Sequence, residues 1–202
     1  MTVWRGELPL ILASQSAVRK SLLVNAGIAV ETIPAAIDER AIQKNSGLSD
    51  PGKIASLLAD EKAAFVSQHH AGRYVVGADQ TLALGDKLFS KPANRSAAEE
   101  QIATLAGKTH DLHSAVSVAR DGVILFSHVN VANMTMRVLS GVQIAAYLDE
   151  AGDAILASVG AYQLEKSGIH LFDRIDGDHF TILGLPLLPL LDFLRGEKLL
   201  TI

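Results

Sequence analysis

The sequence predicts an α/β fold built on a mixed, twisted sheet that is flanked by helices. In the first half of the chain, short apolar runs alternate with helical patterns, as in units that build parallel strands. Two long strand-like segments then follow each other on either side of Asp121-Gly122, a typical hairpin turn. The sheet should therefore contain both parallel and antiparallel strands.

Bulk composition limits the class of protein. A chain of 202 residues buries roughly 70% of its unfolded surface, so we expect a single domain over residues 1–202. The absence of cysteine excludes thiol chemistry, and the apolar segments 8–13 and 184–194 are too short for a signal peptide or a membrane span. A cytoplasmic protein is expected. The net charge of −4 argues against binding of a long nucleic acid.

The first helix is predicted directly after the first strand, residues 8–13. Ser16 suits its N-cap, Gly27 suits its end, and apolar residues recur between them at helical spacing, namely Val18, Leu22, Leu23 and Ala26. Arg19 and Lys20 fall in the first turn, where cations oppose the helix dipole unless an anion is bound there. A phosphate site and two solvated side chains explain this pattern equally well.

Capping and turn residues predict the later elements. A strand is expected at 30–33, and a polar loop with room for a helical turn at 38–50. Asp50-Pro51 opens a helix. A short strand is expected at 74–76 with a continuation at 80–84, which turns at Gly85-Asp86 into a return strand at 87–90. A capping box of Ser96 and Glu99 starts a helix that ends at Gly107, followed by strands 112–119 and 123–138. A second box, Ser140 with Gln143, precedes a helix through Leu148, and the last helix covers 187–194.

Asp79 is the strongest chemical candidate. It follows an apolar run and is expected at or just past the end of a strand, where Gly77 and Ala78 leave room for a ligand to approach the backbone. A carboxylate there can hold a metal or take a proton from water. The residues alone favour a simpler interpretation, an aspartate in a bend that is bonded to nearby backbone.

Two lysines are further candidates. Lys62 shares the apolar face of its helix with Leu58 and Phe65, a position from which lysine usually extends to water along its aliphatic stem. Lys91 comes just before Pro92, which ends the return strand.

The length of the loop at Gly85-Asp86 decides how Lys91 lies relative to Asp79. A two-residue loop pairs Gln80 with Lys91 and puts Asp79 on the opposite face. A three-residue loop puts Asp79 and Lys91 on the same face, and the sequence leaves both registers open.

Other residues narrow the chemistry. The chain lacks the glycine-rich phosphate loops of kinases and dinucleotide oxidoreductases, and the spacing of its seven histidines argues against a zinc site. The adjacent acids Asp38 and Glu39 are typical of a solvated loop. Opposite a triphosphate, however, Mg²⁺ takes one or two carboxylates together with phosphate and water oxygens, so Glu39 with Asp79 would suffice.

The segment LILASQSAVRKSLL resembles the N-terminal signature of the Maf family of nucleoside triphosphate pyrophosphatases, LASxSPRRxxLL. Ala17 and Val18 depart from the usual Pro and Arg. Further matches follow in family order over nearly the whole chain, at Asp38-Glu39, Glu61-Lys62-Ala63, Gly77-Ala78-Asp79, Lys91-Pro92, Gly160-Ala161-Tyr162 and Gly184-Leu185-Pro186.

This resemblance implies two lobes with a nucleotide cleft and hydrolysis of a nucleoside triphosphate to the monophosphate and pyrophosphate. It implies that Asp79 is the general base and that Lys62 and Lys91 assist catalysis, and it favours the three-residue register. It also implies substrate contacts from Ser14, Ser16 and Arg19, and a divalent cation, Mg²⁺ or Mn²⁺, on Glu39 and Asp79.

Three positions bear on the base: Val18, Gln80 and Glu165. In the family, the 7-methyl-GTP pyrophosphatase subgroup has an aromatic residue, Gln and Glu at these positions and the dTTP/UTP subgroup tends to have Arg, Thr and Gln, so Gln80 and Glu165 resemble the former. Glu165 could accept from the N1–H and the exocyclic amine of guanine. Val18 departs from both, since it provides no aromatic ring to stack on a cationic base. A non-catalytic nucleotide-binding regulator of septum formation and a structural protein remain alternatives, and the sequence leaves open whether the chain forms a homodimer.

Overall fold

A computed structural model describes residues 3–202 and confirms the mixed α/β prediction. Seven strands form one sheet in the order β2-β1-β3-β5-β6-β7, with β4 paired to β3. Their bounds are β1 Leu10–Leu12, β2 Val30–Thr32, β3 Val75–Leu84, β4 Lys87–Phe89, β5 Thr109–Arg120, β6 Val123–Met136 and β7 Phe172–Asp176. Strands β2, β1 and β3 run parallel, and all other pairs are antiparallel.

The helices pack against this sheet. Their bounds are α1 Ala17–Asn25, α2 Glu39–Ser46, α3 Pro51–Ser67, α4 Arg95–Leu105, α5 Gly141–Ala151, α6 His179–Ile182 and α7 Leu187–Gly196. Short 3-10 segments occupy Gly152–Ala157, Val159–Ala161 and Ser167–Leu171. None of the helices in residues 3–202 is both long and apolar enough to cross a bilayer.

The two largest clusters of the hydrophobic core lie in two lobes. One cluster joins β1 and the start of β3 to α1 and α7, and includes Leu12, Val76 and Leu190. The other joins the far end of β3 to α4 and α5, and includes Leu82 and Ile102. The long strands β3 and β5 pass through both clusters and connect the lobes.

A gap in the sheet lies between the two lobes. β1 pairs only with Val75 and Val76 of β3, and β4 pairs only with residues 82–84. Because β5 occupies the other edge of β3 along residues 75–83, β1 and β4 share one edge. In the described part of the chain, residues 77–81 therefore have no strand beside them on that edge.

The structure confirms some local predictions. Ser16 and Asp50 are N-caps, and Ser140 with Gln143 forms the predicted capping box. The fourth helix is instead capped by Asn94, whose side chain accepts from Ala97 N, so the predicted box of Ser96 and Glu99 is wrong.

Two predictions on β3 need correction. Asp79 lies in the middle of β3 and not at its end, since the strand continues along β5 after its parallel neighbour β1 has stopped. The hairpin has the two-residue loop, with Leu84 opposite Lys87, so the three-residue register is wrong. Gly85, with φ of 58°, supplies the left-handed conformation that this tight turn requires.

Candidate active site

Asp79, Lys62 and Glu39 form a charged cluster at the gap in the sheet. Lys62 Nζ donates to Asp79 Oδ1 at 2.7 Å and also lies 2.9 Å from Glu39 Oε1. Asp79 and Lys62 are buried, with 8% and 7% of each residue exposed, whereas the Glu39 side chain is half exposed. The ammonium group therefore lies between two carboxylates, one inside the protein and one at its surface.

Close packing of α3 on β3 brings Lys62 to Asp79. A Cβ on Gly77 would lie 2.1 Å from the carbonyl oxygen of Ala59 and 2.7 Å from the amide nitrogen of Ala63. Only glycine permits this approach of the two backbones. The space at Gly77 is thus filled by α3, and the prediction that it admits a ligand is wrong.

Glu39 is placed by the first turn of α2. The side chain of Asp38 caps this helix by accepting from Ala41 N at 3.0 Å. Segment 38–50, predicted as a polar loop with room for a helical turn, contains the eight-residue helix α2, which has no buried residues. The cap fixes the backbone at Glu39, and its carboxylate reaches over the rim of the site to Lys62.

Arg19 braces the site from α1. Its Nε donates to the carbonyl of Gly184 at 2.8 Å, and its Nη1 donates to the carbonyl of Ala78 at 2.8 Å and to Ser14 Oγ at 3.3 Å. Ser16 Oγ accepts from the backbone N–H of Arg19 at 3.3 Å. Most of the guanidinium N–H groups thus bond within the protein. Neither interpretation of the sequence, a phosphate site or a solvated side chain, included these internal bonds.

The cluster perturbs its own protonation equilibria. Burial raises the pKa of Asp79 above 3.8, although Lys62 and Arg19 favour the charged carboxylate and partly offset the effect. Burial also lowers the pKa of Arg19, against the attraction of Asp79 and Glu39. Asp79 therefore has a higher proton affinity than a solvated aspartate, as a group that takes a proton from water requires.

Gln80 points to the other face of β3 and fastens the segment that contains α6. Its Nε2 lies 2.9 Å from Ser114 Oγ and 3.1 Å from the carbonyl oxygens of both Thr181 and Ile182. Ser114 also donates to the Thr181 carbonyl at 2.6 Å. Sequence reasoning missed Ser114 and Thr181, because no local pattern shows which buried hydroxyl will face Gln80 across the strands.

Three predicted site residues lie outside this cluster. Lys91 is exposed just after β4, which runs toward the gap. Glu165 is exposed in the turn before the last 3-10 segment, near enough to Tyr147 to contribute with burial to the raised pKa of that phenol. Val18 is partly exposed on α1. Within residues 3–202, no hydrogen bond or ion pair joins these three side chains to Asp79.

The acidic pair suits a divalent cation whose coordination is completed by a substrate. In the described part of the chain, no three His, Asp or Glu side chains converge as a metal cluster, so the protein offers the carboxylates of Glu39 and Asp79. Mg²⁺ usually takes one or two carboxylates and fills its remaining positions with phosphate and water oxygens. These two carboxylates are ligands of the kind that Mg²⁺ takes, and in this structure both of them contact Lys62 Nζ.

Comparison with known proteins identifies the family of this chain. The family model described as Maf-like protein matches residues 9–197. A nucleoside triphosphate pyrophosphatase of Rhodopseudomonas palustris (strain BisB5) is 63% identical over 202 residues, 100% of both chains. One of the same name from Bradyrhizobium diazoefficiens is 62% identical over 100% of both chains. A 7-methyl-GTP pyrophosphatase of Brucella abortus biovar 1 is 53% identical over 94% of this chain and 96% of that protein. The chain belongs to the family of Maf-like proteins.

Proposed function

We propose that this protein hydrolyses a nucleoside triphosphate to the nucleoside monophosphate and pyrophosphate. The observation that carries the proposal is the buried Asp79 carboxylate, held by Lys62 at a gap between two lobes. The names of the relatives, nucleoside triphosphate pyrophosphatase and 7-methyl-GTP pyrophosphatase, support the same reaction.

In the proposed reaction, the oxygen of a water molecule attacks the α-phosphorus while Asp79 accepts a proton from that water. The bond from this phosphorus to the α–β bridging oxygen breaks, and its electron pair leaves with pyrophosphate. Lys62 keeps Asp79 oriented and adds positive charge to the site. A divalent cation on Glu39 and Asp79 would neutralise charge on the phosphates.

The predicted substrate contacts belong to this proposal. We propose that Ser14 and Ser16, at the start of α1, face the phosphates, and that Lys91 reaches them from the end of β4. Arg19 contributes mainly by holding Ala78 and Gly184 together, since its Nε and Nη1 are already bonded.

For the base, we propose a guanine-type nucleotide, read by Gln80 and Glu165 beside the small Val18. The 7-methyl-GTP pyrophosphatase of Brucella abortus, which is 53% identical to this chain, supports a 7-methyl-GTP substrate. Glu165 provides two acceptors, which match the N1–H and the exocyclic amine of guanine.

The test is pyrophosphate release from GTP, 7-methyl-GTP, dTTP and UTP, with Mg²⁺, with Mn²⁺ and with excess chelator. We expect metal-dependent release that is fastest with a guanine nucleotide. Faster hydrolysis of dTTP and UTP would overturn the substrate class alone. Nucleotide-induced thermal stabilisation without hydrolysis would overturn the enzyme and favour a nucleotide-binding regulator.

We propose that residues 1–202 act as one domain in the cytoplasm, where nucleotide substrates are available. Light scattering of the purified protein distinguishes a monomer from a homodimer.

A further inference from the structure

The ammonium group of Lys62 contacts both of the carboxylates that we propose for the metal. Its Nζ atom lies 2.7 Å from Asp79 Oδ1 and 2.9 Å from Glu39 Oε1. A divalent cation that bridged these same two oxygens would lie between them, where the Nζ atom lies now. Because two cations cannot share that position, a metal ion and Lys62 compete for the same carboxylate oxygens.

The charged groups of the site balance one another, so a bare cation finds no excess of negative charge. The two carboxylates of Asp79 and Glu39 face two cations, Lys62 and Arg19, and the guanidinium of Arg19 is attracted electrostatically by both carboxylates. Asp79 and Lys62 are buried, and charges interact more strongly inside a protein than in water. A divalent ion that entered alone would therefore be repelled by two neighbouring positive charges.

The protein also supplies too few ligands to hold a metal by itself. Within residues 3–202, no group of three His, Asp or Glu side chains is placed to bind a metal ion. Mg²⁺ requires nearly octahedral oxygen coordination and takes substrate phosphates or water where protein ligands are missing. A triphosphate provides such oxygens, and its negative charge also offers a new partner to a displaced ammonium group.

The contact between Lys62 and Glu39 is the one that can open. Glu39 lies in the first turn of α2, a helix without buried residues, and its side chain is half exposed. Separation of this pair therefore leaves the hydrophobic core intact. Lys62 has a flexible stem of four carbons that lets its ammonium group move while α3 stays in place.

We propose that Lys62 controls metal entry: its ammonium group keeps a bare divalent cation off Asp79 and Glu39, and the metal enters only together with the triphosphate. This inference rests on the proposed function. On entry, the phosphates supply the missing metal ligands and bind the ammonium group, which moves from carboxylate to phosphate. The charge that neutralises the carboxylates before binding then lies beside the phosphates of the substrate.

The first test uses the protein without nucleotide. Mn²⁺ retained with the protein is measured by ultrafiltration at fixed ionic strength. We expect Lys62→Met to bind Mn²⁺ at least about tenfold more tightly than the wild type, because a like charge has left the site. Lys62→Arg keeps this charge and should bind Mn²⁺ as weakly as the wild type. Lys53→Met, at an exposed position of α3, is the matched control. Unchanged affinity in Lys62→Met, or equally tight binding in Lys62→Arg, would overturn the proposal.

The second test needs no variant. Mn²⁺ retention by the wild type is measured alone and then with inorganic triphosphate or with the α,β-methylene analogues of GTP and UTP, which resist cleavage between the α and β phosphates. We expect at least about fivefold tighter Mn²⁺ binding with a triphosphate present, the usual scale of coupling between two ligands. No gain with any of the three compounds would overturn joint entry, even if the enzyme releases pyrophosphate from natural nucleotides. Absence of hydrolysis, with both Mn²⁺ results as expected, would overturn the proposed function alone.

Discussion

The ammonium group of Lys62 donates to the carboxylate of Asp79 at 2.7 Å and thereby joins α3 to the centre of β3. A buried carboxylate without such a partner would lose its charge, because burial penalises the ionised form. The pair lies beside residues 77–81 of β3, which in the described part of the chain have no strand neighbour on one edge. The contact therefore ties α3 to the part of β3 where the gap in the sheet lies.

Replacing Asp79 by Asn should lower hydrolysis at least about a hundredfold, since the variant keeps the shape but loses the proton acceptor. Pyrophosphate release and the thermal unfolding midpoint are measured together. Asp60→Asn is the control, because Asp60 is an aspartate of α3 that accepts from Ser117. Near-wild-type turnover of Asp79→Asn would remove this residue from the mechanism.

Lys62 should control the pH dependence of the reaction. Asp79 must be ionised to act, and its pKa is raised above 3.8, so the rate should fall with decreasing pH earlier than for a solvated aspartate. Lys62→Gln removes the positive charge that favours the carboxylate and should move this acid limb to higher pH. The limb of kcat/KM is compared with that of Lys53→Gln, an exposed position on α3. An unmoved limb in Lys62→Gln would show that Asp79 is not the titrating group.

Gly77→Ala should destabilise the protein by at least about 2 kcal/mol, because its Cβ would overlap the backbone of α3 at Ala59. Hydrolysis should also fall, since α3 must shift and carries Lys62 with it. Urea unfolding gives the free energy. Gly141→Ala, where a new Cβ meets nothing within 4 Å, should stay within about 1 kcal/mol of the wild type. Comparable stabilities of the two variants would contradict the close packing.

In Arg19→Lys, the lysine should not take over the role of the arginine, because it has no planar guanidinium group to bond to the carbonyls of both Ala78 and Gly184. We expect a loss of about 1 to 3 kcal/mol in unfolding free energy and slower hydrolysis. Lys20→Ala, which truncates the exposed neighbour, should change stability by less than about 0.5 kcal/mol. If Arg19→Lys is as stable as the wild type and only binds triphosphate more weakly, phosphate contact is its main role.

His110 should make the protein sensitive to acid. The ring is buried beside Tyr162, with Nε2 2.8 Å from the phenol oxygen, and burial lowers its pKa from 6.5 to about 4. As the pH falls, this histidine binds a proton at a higher pH in the unfolded chain than in the folded chain. The stability that the neutral ring contributes is therefore fully present above pH 6.5 and is lost as the pH decreases toward 4. The loss amounts to at most about 3 kcal/mol. His110→Gln should flatten this dependence in urea unfolding, and His69→Gln, at an exposed position, should not.

Local sequence determined where helices and strands begin and end wherever this depends on contacts between residues that are close in the chain. Ser16, Asp50 and Ser140 cap the helices as predicted, because a capping hydrogen bond spans only three residues. The mixed sheet followed from the order of strand and helix patterns. The capping of α4 was mispredicted for the same local reason, since Asn94 competes with Ser96 within one turn.

The tertiary structure decided which of the candidate residues meet. Patterns within the chain indicated Lys62 and Asp79 separately, but their contact depends on the packing of α3 against Gly77, a relation between distant segments. The same holds for Arg19, which bonds to carbonyls at Ala78 and Gly184 that carry no side-chain signal. Backbone acceptors are identical at every position of a sequence, so only the folded chain shows which of them an arginine will reach.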